Sequence, residues 1–118
     1  MPIRSPYLFV AAMDVDPARE ALFNEVYDRE HVPLLSAVPG VISIARFATQ
    51  DLTMVIGGQR RQIVMENEPR YHALYELESP AVLTSDAWAA AVDSGRWPGE
   101  VRPFTRNRRH VLQRRLEA

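Results

Sequence analysis

Cysteine is absent from all 118 residues, which excludes disulfides, thiolate nucleophiles and cysteine-ligated metals or iron–sulfur clusters. Lysine is absent too, since all 14 basic residues are arginine, and Gly57-Gly58 therefore lacks both the lysine and the helix start of a phosphate-binding loop. No Gly-x-Ser-x-Gly turn supports serine hydrolase chemistry. His31, His72 and His110 are scattered, with no H-x-x-x-H or H-x-H spacing, so no metal site is expected. No apolar run approaches the length of a membrane span. The N-terminus shows no basic segment leading into an apolar signal core, so a cytoplasmic protein without membrane contact is expected.

Hydrophobic residues at 47% and charged residues at 25% are ordinary for a globular chain and argue against disorder. The length fits a single domain over residues 1–118, small enough that a second subunit could help to cover its surfaces. The formal net charge of −1 hides a local asymmetry, because six arginines fall within Arg102–Arg115. The aromatic interleaving of a nucleic-acid-binding sheet is missing there, so no nucleic-acid partner is expected. Either a solvated strand face or arginines closing a pocket over an anionic ligand fits the pattern better.

Along the chain, Tyr7–Met13 is a short apolar run that fits a strand buried on both faces. Asp14 and Asp16 offer caps and Pro17 suits a first helical position, so a helix is predicted from about Pro17 to His31, broken or reset by Pro33. Leu34 and Leu35 can pack in a short following turn before Pro39-Gly40 reverses the chain into a strand over Val41–Thr49. Residues 50–70 read as a hairpin arm around Gly57-Gly58, which either packs on a partner subunit, shields a pocket or is a mobile surface hairpin. Tyr71–Leu77 is the next strand, and Ala81–Leu83 offers a short helical turn. A second helix runs from Ser85 to Val92 or Asp93, with Ser94-Gly95 as its stop, and Phe104–Arg115 forms the last strand. This βαββαβ order gives an α+β, ferredoxin-like sandwich: a four-stranded antiparallel sheet with two helices on one face.

Polar chemistry is concentrated in Glu25-Val26-Tyr27-Asp28-Arg29-Glu30-His31-Val32-Pro33. Leu22, Phe23, Val26 and Tyr27 make an apolar stripe, and His31 falls one turn beyond Tyr27 at its edge. Asp28, three residues before His31, can reach the same imidazole, orient it and raise its pKa, as a general acid/base working near neutrality requires. A helix-end histidine complementing the helix dipole fits the same spacing.

Tyr27-Asp28-Arg29-Glu30-His31-Val32-Pro33, followed by Val38-Pro39-Gly40-Val41, resembles the Trp/Tyr-Tyr-x-x-x-His-x-Pro signature of EthD-like proteins in the dimeric α/β-barrel superfamily. Val26 stands where many members carry an aromatic residue. The resemblance implies a homodimer whose sheets pack face to face, with the helix-end histidine bordering a cavity beneath each sheet. Relatives include monooxygenases, lactone isomerases, polyketide-modifying enzymes and members of no known activity.

The resulting expectation is a cofactor-independent isomerase, lyase or oxygenase acting by proton transfer on a small cyclic or oxygenated substrate. His31, Asp28 and Tyr27 are the candidate catalytic residues; Tyr75, Trp88, Trp97, Arg106 and Arg108 are the candidate substrate-binding residues. Tyr75 and Trp88 also suit plain core packing, Trp97 a loop anchor or a lid on the cavity. His72 reads as an edge or satisfied core residue, and His110 lies among arginines that would depress its pKa. The rival expectation is a non-catalytic dimeric module that binds a hydrophobic metabolite. A lone helix-end histidine also leaves haem ligation open.

Overall fold

The computed structural model describes residues 3–117. Six strands occur among them: β1 (Tyr7–Val15), β2 (Val41–Ala48), β3 (Leu52–Ile56), β4 (Gln59–Ile63), β5 (Tyr71–Leu77) and β6 (Thr105–Arg114). Three short α-helices, α1 (Glu20–Val26), α2 (Val32–Ser36) and α3 (Asp86–Val92), lie among further single helical turns, including Pro17–Arg19, Tyr27–His31, Pro80–Thr84 and Trp97–Val101. Four strands form one antiparallel sheet in the order β2-β5-β1-β6, while β3 and β4 pair only with each other. The βαββαβ, ferredoxin-like order expected from the sequence is thus present, with one hairpin inserted. No described helix is long and apolar enough to cross a membrane.

Cap chemistry fixes the helix ends. The Asp16 carboxylate accepts from the Ala18 amide at 3.0 Å and Pro17 leads the first turn, while the Ser85 hydroxyl accepts from the Trp88 amide at 3.1 Å to open α3. Asp14, the other candidate cap, instead accepts from the Arg70 amide at 2.8 Å and from the Asn107 side chain at 3.0 Å, tying three strand ends together.

Pro33 does not end the first helix. Backbone angles stay helical from Tyr27 through Val32, but the intervening turn Tyr27–His31 is widened, with the Val32 amide donating to the Tyr27 carbonyl five residues back. A proline ring normally presses on the carbonyl four residues earlier; in a widened turn that carbonyl is displaced, and the helix continues to Ser36.

Strand register sorts the sheet residues between two faces. Phe9, Ala11, Ala73, Tyr75, Ile44 and Leu112 lie on the helix-covered side, where the core also holds Phe23, Val26 and Leu35. Leu8, Val10, Leu74, Phe47 and Val111 lie on the opposite face, where no described helix packs and where Phe47 is 57% exposed. The β3–β4 hairpin turns on Gly57 and Gly58, both at positive φ, the backbone that a two-residue hairpin turn demands. Val55 and Ile56 stay exposed on it. The radius of gyration is 16.0 Å, against about 13–14 Å for a compact domain of this length, so the hairpin is an arm and not a covering loop.

Candidate functional site

A cavity of about 190 Å³ lies between the helices and the sheet. Phe9, Ala11 and Met13 from β1 and Tyr75 from β5 form its floor; Tyr27, His31 and Leu35 form one wall, Trp88 and Val92 of α3 the other. Trp97 closes it, and Arg102, Arg108 and His110 line it as well. Alternation along the strands aims the floor residues inward. The four-residue spacing from Tyr27 to His31 keeps both on the cavity side through the widened turn.

His31 is 5% exposed and stacks on Trp97, ring centroids 4.2 Å apart at an interplanar angle of 16°, with the Tyr27 ring edge-on at 5.1 Å. Its Nδ1 is buried and has no hydrogen-bond partner among the described residues. Burial, reinforced by the positive charge of Arg102, lowers its pKa to about 4, so the ring is neutral at pH 7. Beside it, the Tyr27 and Tyr75 hydroxyls lie 3.1 Å apart in a buried pair. Desolvation raises both phenol pKa values, that of Tyr75 well above the usual phenol range. Each phenol therefore keeps its proton, and only one proton is used between the two oxygens.

The loop after α3 holds this wall in place. Glu30 accepts from the Arg96 amide at 2.9 Å and also pairs with the Arg96 guanidinium, which sets the register at which Trp97 meets His31. Gly95 has φ +70°, and a β-carbon there would sit 2.6 Å from the Glu30 carboxylate. Gly95→Ala is therefore expected to lower stability by about 1–2 kcal/mol from the left-handed backbone alone, with further loss from displacing Glu30. Urea unfolding measures this; an unchanged midpoint would show that loop and carboxylate relax freely.

Tyr27, His31, Tyr75, Trp88, Trp97 and Arg108 are brought together as the sequence suggests. Asp28 is not. Its carboxylate pairs with Arg46 at 2.7 Å, its side chain is 63% exposed, and it lies outside the cavity. In the widened turn, residues three apart no longer share a face, so Asp28 neither orients His31 nor raises its pKa, which moves the opposite way. Arg46 in turn spans Asp28 and Asn24, with its guanidinium 4.4 Å over the Tyr27 ring.

Arg106 also lies elsewhere. The β1–β6 register shifts between Ala12 and Asp14, where β6 bulges at Asn107, whose φ is +52°. Strict alternation would put positions 106 and 108 on one face; the bulge separates them, and Arg106 ends opposite Asp14, whose carboxyl pKa its charge helps to lower. His72 belongs to the central strand β5 on the helix-free side, 3.9 Å from Glu68, and is not an edge residue.

Sequence reasoning missed Phe9, Arg102 and His110 as cavity residues. The pKa of His110 is lowered as expected, first by desolvation and then by Arg108, and its ring stacks on Phe9 with centroids 5.9 Å apart. Arg102 donates to the Val92 carbonyl at 2.7 Å and pairs with Asp93 at 2.8 Å. Among the described residues, no three His, Asp or Glu side chains gather as a metal site.

No family model matches the chain, and no curated protein matches it. Solved structures do. An ethyl tert-butyl ether D (EthD) family protein from Bacillus halodurans superimposes with a TM-score of 0.57 at 11% identity, covering 93% of this chain and 99% of that one. MhuD, a haem degrader from Mycobacterium tuberculosis with two haems bound in its active site, gives a TM-score of 0.56 at 17% identity, covering 96% and 98%. These likenesses establish the ferredoxin-like fold that they share with this chain; at such identities they speak to fold, not to chemistry.

Proposed function

We propose that the chain is a cytoplasmic, EthD-like small-molecule enzyme that moves a proton on a small cyclic or oxygenated substrate, with His31 as the shuttle. The observation that carries this reading is a neutral imidazole lining an aromatic cavity, its Nδ1 buried and unpaired among the described residues, next to a phenol pair with a proton to spare. The imidazole takes the proton from a carbon beside a carbonyl. The electron pair of the broken C–H bond moves onto the carbonyl oxygen, which accepts a hydrogen bond from the Tyr27–Tyr75 pair. Where the substrate carries a C=C bond at the β,γ position, the imidazolium then returns the proton to the γ-carbon, the pair on oxygen re-forms the carbonyl and the C=C bond shifts into conjugation with it. Burial and Arg102 disfavour the imidazolium in the free protein, and the enolate charge compensates for both. Asp28 has no place in this path, although it holds Arg46 over Tyr27.

A second reading, a binding module without catalysis, is favoured by one observation: among the described residues no carboxylate hydrogen-bonds or pairs with His31. Incubation of a panel of cyclic ketones and lactones in D2O separates the two. Deuterium appearing at carbon faster than in buffer supports the enzyme; ligand-induced thermal stabilisation with no exchange above buffer supports the module. A cavity of about 190 Å³ falls below the roughly 300–1,000 Å³ of drug-sized pockets, so it fits a small ring and not a haem.

We also propose a homodimer joined through the sheet face that carries Phe47 and Val111. That face carries an apolar patch of Leu8, Val10, Leu74, Phe47 and Val111 on which no described helix packs, and the exposed arm offers a second apolar surface to a partner. Sedimentation at micromolar concentration is expected to give a dimer, consistent with an interface above about 2,000 Å². A stable monomer would overturn this architecture.

A further inference from the structure

We infer that the cavity selects a small planar monoanion, an unsaturated cyclic keto- or enol-type carboxylate, whose acidic group pairs with Arg108 while its ring lies against Phe9 and Trp88. This rests on the reading of the cavity as the substrate site and names the class of substrate it takes.

Charge is the first argument. Among the described residues no Asp or Glu lines the cavity, whereas Arg102 and Arg108 do. They are not equivalent. Arg102 is held through one terminal nitrogen by the Val92 carbonyl and by Asp93, so part of its fork is committed and its charge has an acidic partner. Arg108 forms no ion pair and no side-chain hydrogen bond among the described residues, which leaves a whole guanidinium fork for a carboxylate.

Placement is the second. Arg108 lines the cavity at the β6 bulge, and the bulge is held by specific contacts. Asn107, at a positive φ that non-glycine residues seldom adopt, donates to Asp14 at 3.0 Å and to the Asn67 carbonyl at 2.8 Å. The same bulge sends Arg106 to the other face, where Asp14 is its cross-strand neighbour. One arginine thus has an acid as its cross-strand neighbour, while the other sits at the cavity with no ion pair among the described residues.

Shape is the third. Phe9 packs edge-on to Trp88 with ring centroids 6.0 Å apart, and His110 stacks on Phe9, giving flat walls suited to a flat ring.

The test uses benzoate as the probe, with benzamide as its uncharged isostere, by calorimetry at low salt and pH 7. Wild-type protein is expected to bind benzoate and to bind benzamide at least about tenfold more weakly. Arg108→Gln is expected to cost about 10–100-fold in benzoate affinity, the range of a lost charge-assisted contact, with an unchanged unfolding midpoint. Arg106→Gln, on the opposite face, is expected to leave benzoate binding unchanged. Equal binding of benzoate and benzamide, no benzoate binding, or full benzoate affinity in Arg108→Gln overturns the inference. Its failure is distinguishable from failure of the proton-transfer reading: exchange on neutral ketones without carboxylate binding sinks only the inference, and Arg108-dependent benzoate binding without exchange on any substrate sinks only the catalysis.

Discussion

Trp97→Ala is expected to cost about 3–5 kcal/mol of folding stability, the largest loss from any single cavity residue. Trp97 is 5% exposed and touches Phe23, Tyr27 and His31, with ring centroids 6.0, 5.0 and 4.2 Å away. Those partners belong to the first helix and its widened turn, so one side chain fastens the loop after α3 to the helix that carries the site. Trp88→Ala is the comparison. Trp88 is half-buried and faces the cavity from one side, so its loss leaves space already continuous with the cavity and a smaller penalty. Urea unfolding of the two variants measures the difference. A Trp97→Ala midpoint equal to that of Trp88→Ala would show that the indole is a lid and not part of the packing.

The fold was legible because its signals are local. Asp16 and Ser85 cap helices by side-chain reach, Gly57-Gly58 supplies the backbone of a hairpin turn, and alternation along Tyr71–Leu77 separates Tyr75 from Glu76. Much of the site was legible for the same reason, since Tyr27 and His31 follow from helical spacing and Tyr75 from strand alternation.

The misreadings share one physical origin, a single-residue change of register. A widened helical turn differs from a regular one by one residue per hydrogen bond, and no composition rule distinguishes Tyr27–His31 from an ordinary turn. That residue turned Asp28 away from His31 and let the helix pass Pro33. The β6 bulge did the same to a strand, separating Arg106 from Arg108. Asn107 was the available signal, since asparagine tolerates positive φ better than most residues do. Arg102 and His110 gave no local signal, because the last strand and the loop before it had to fold back on β1 before either could meet the cavity.

His31→Phe is expected to separate function from stability. Phenylalanine preserves a flat ring for the stack on Trp97 and removes the buried, unpaired Nδ1, so the unfolding midpoint at pH 7 should be unchanged or raised. Turnover per folded molecule should fall about 10²–10⁴-fold, the range for a lost general acid/base. The pH dependence of stability supplies an independent readout. In the unfolded chain a histidine takes up its proton near pH 6.5, whereas folded His31 does so only at about 4. Between those values the unfolded state binds more protons, so wild-type stability falls as pH drops from about 6.5 to 4, by a total on the order of 3 kcal/mol. His31→Phe removes that slope. His110, also lowered, keeps a smaller slope of the same sign, and Glu30 and Asp14, whose carboxyls are held low, surrender their contributions at more acidic pH as they protonate. A variant that retains the full wild-type slope between pH 6.5 and 4 would mean that His31 charges freely in the folded protein, and that result, together with undiminished turnover, would remove the imidazole from the reaction.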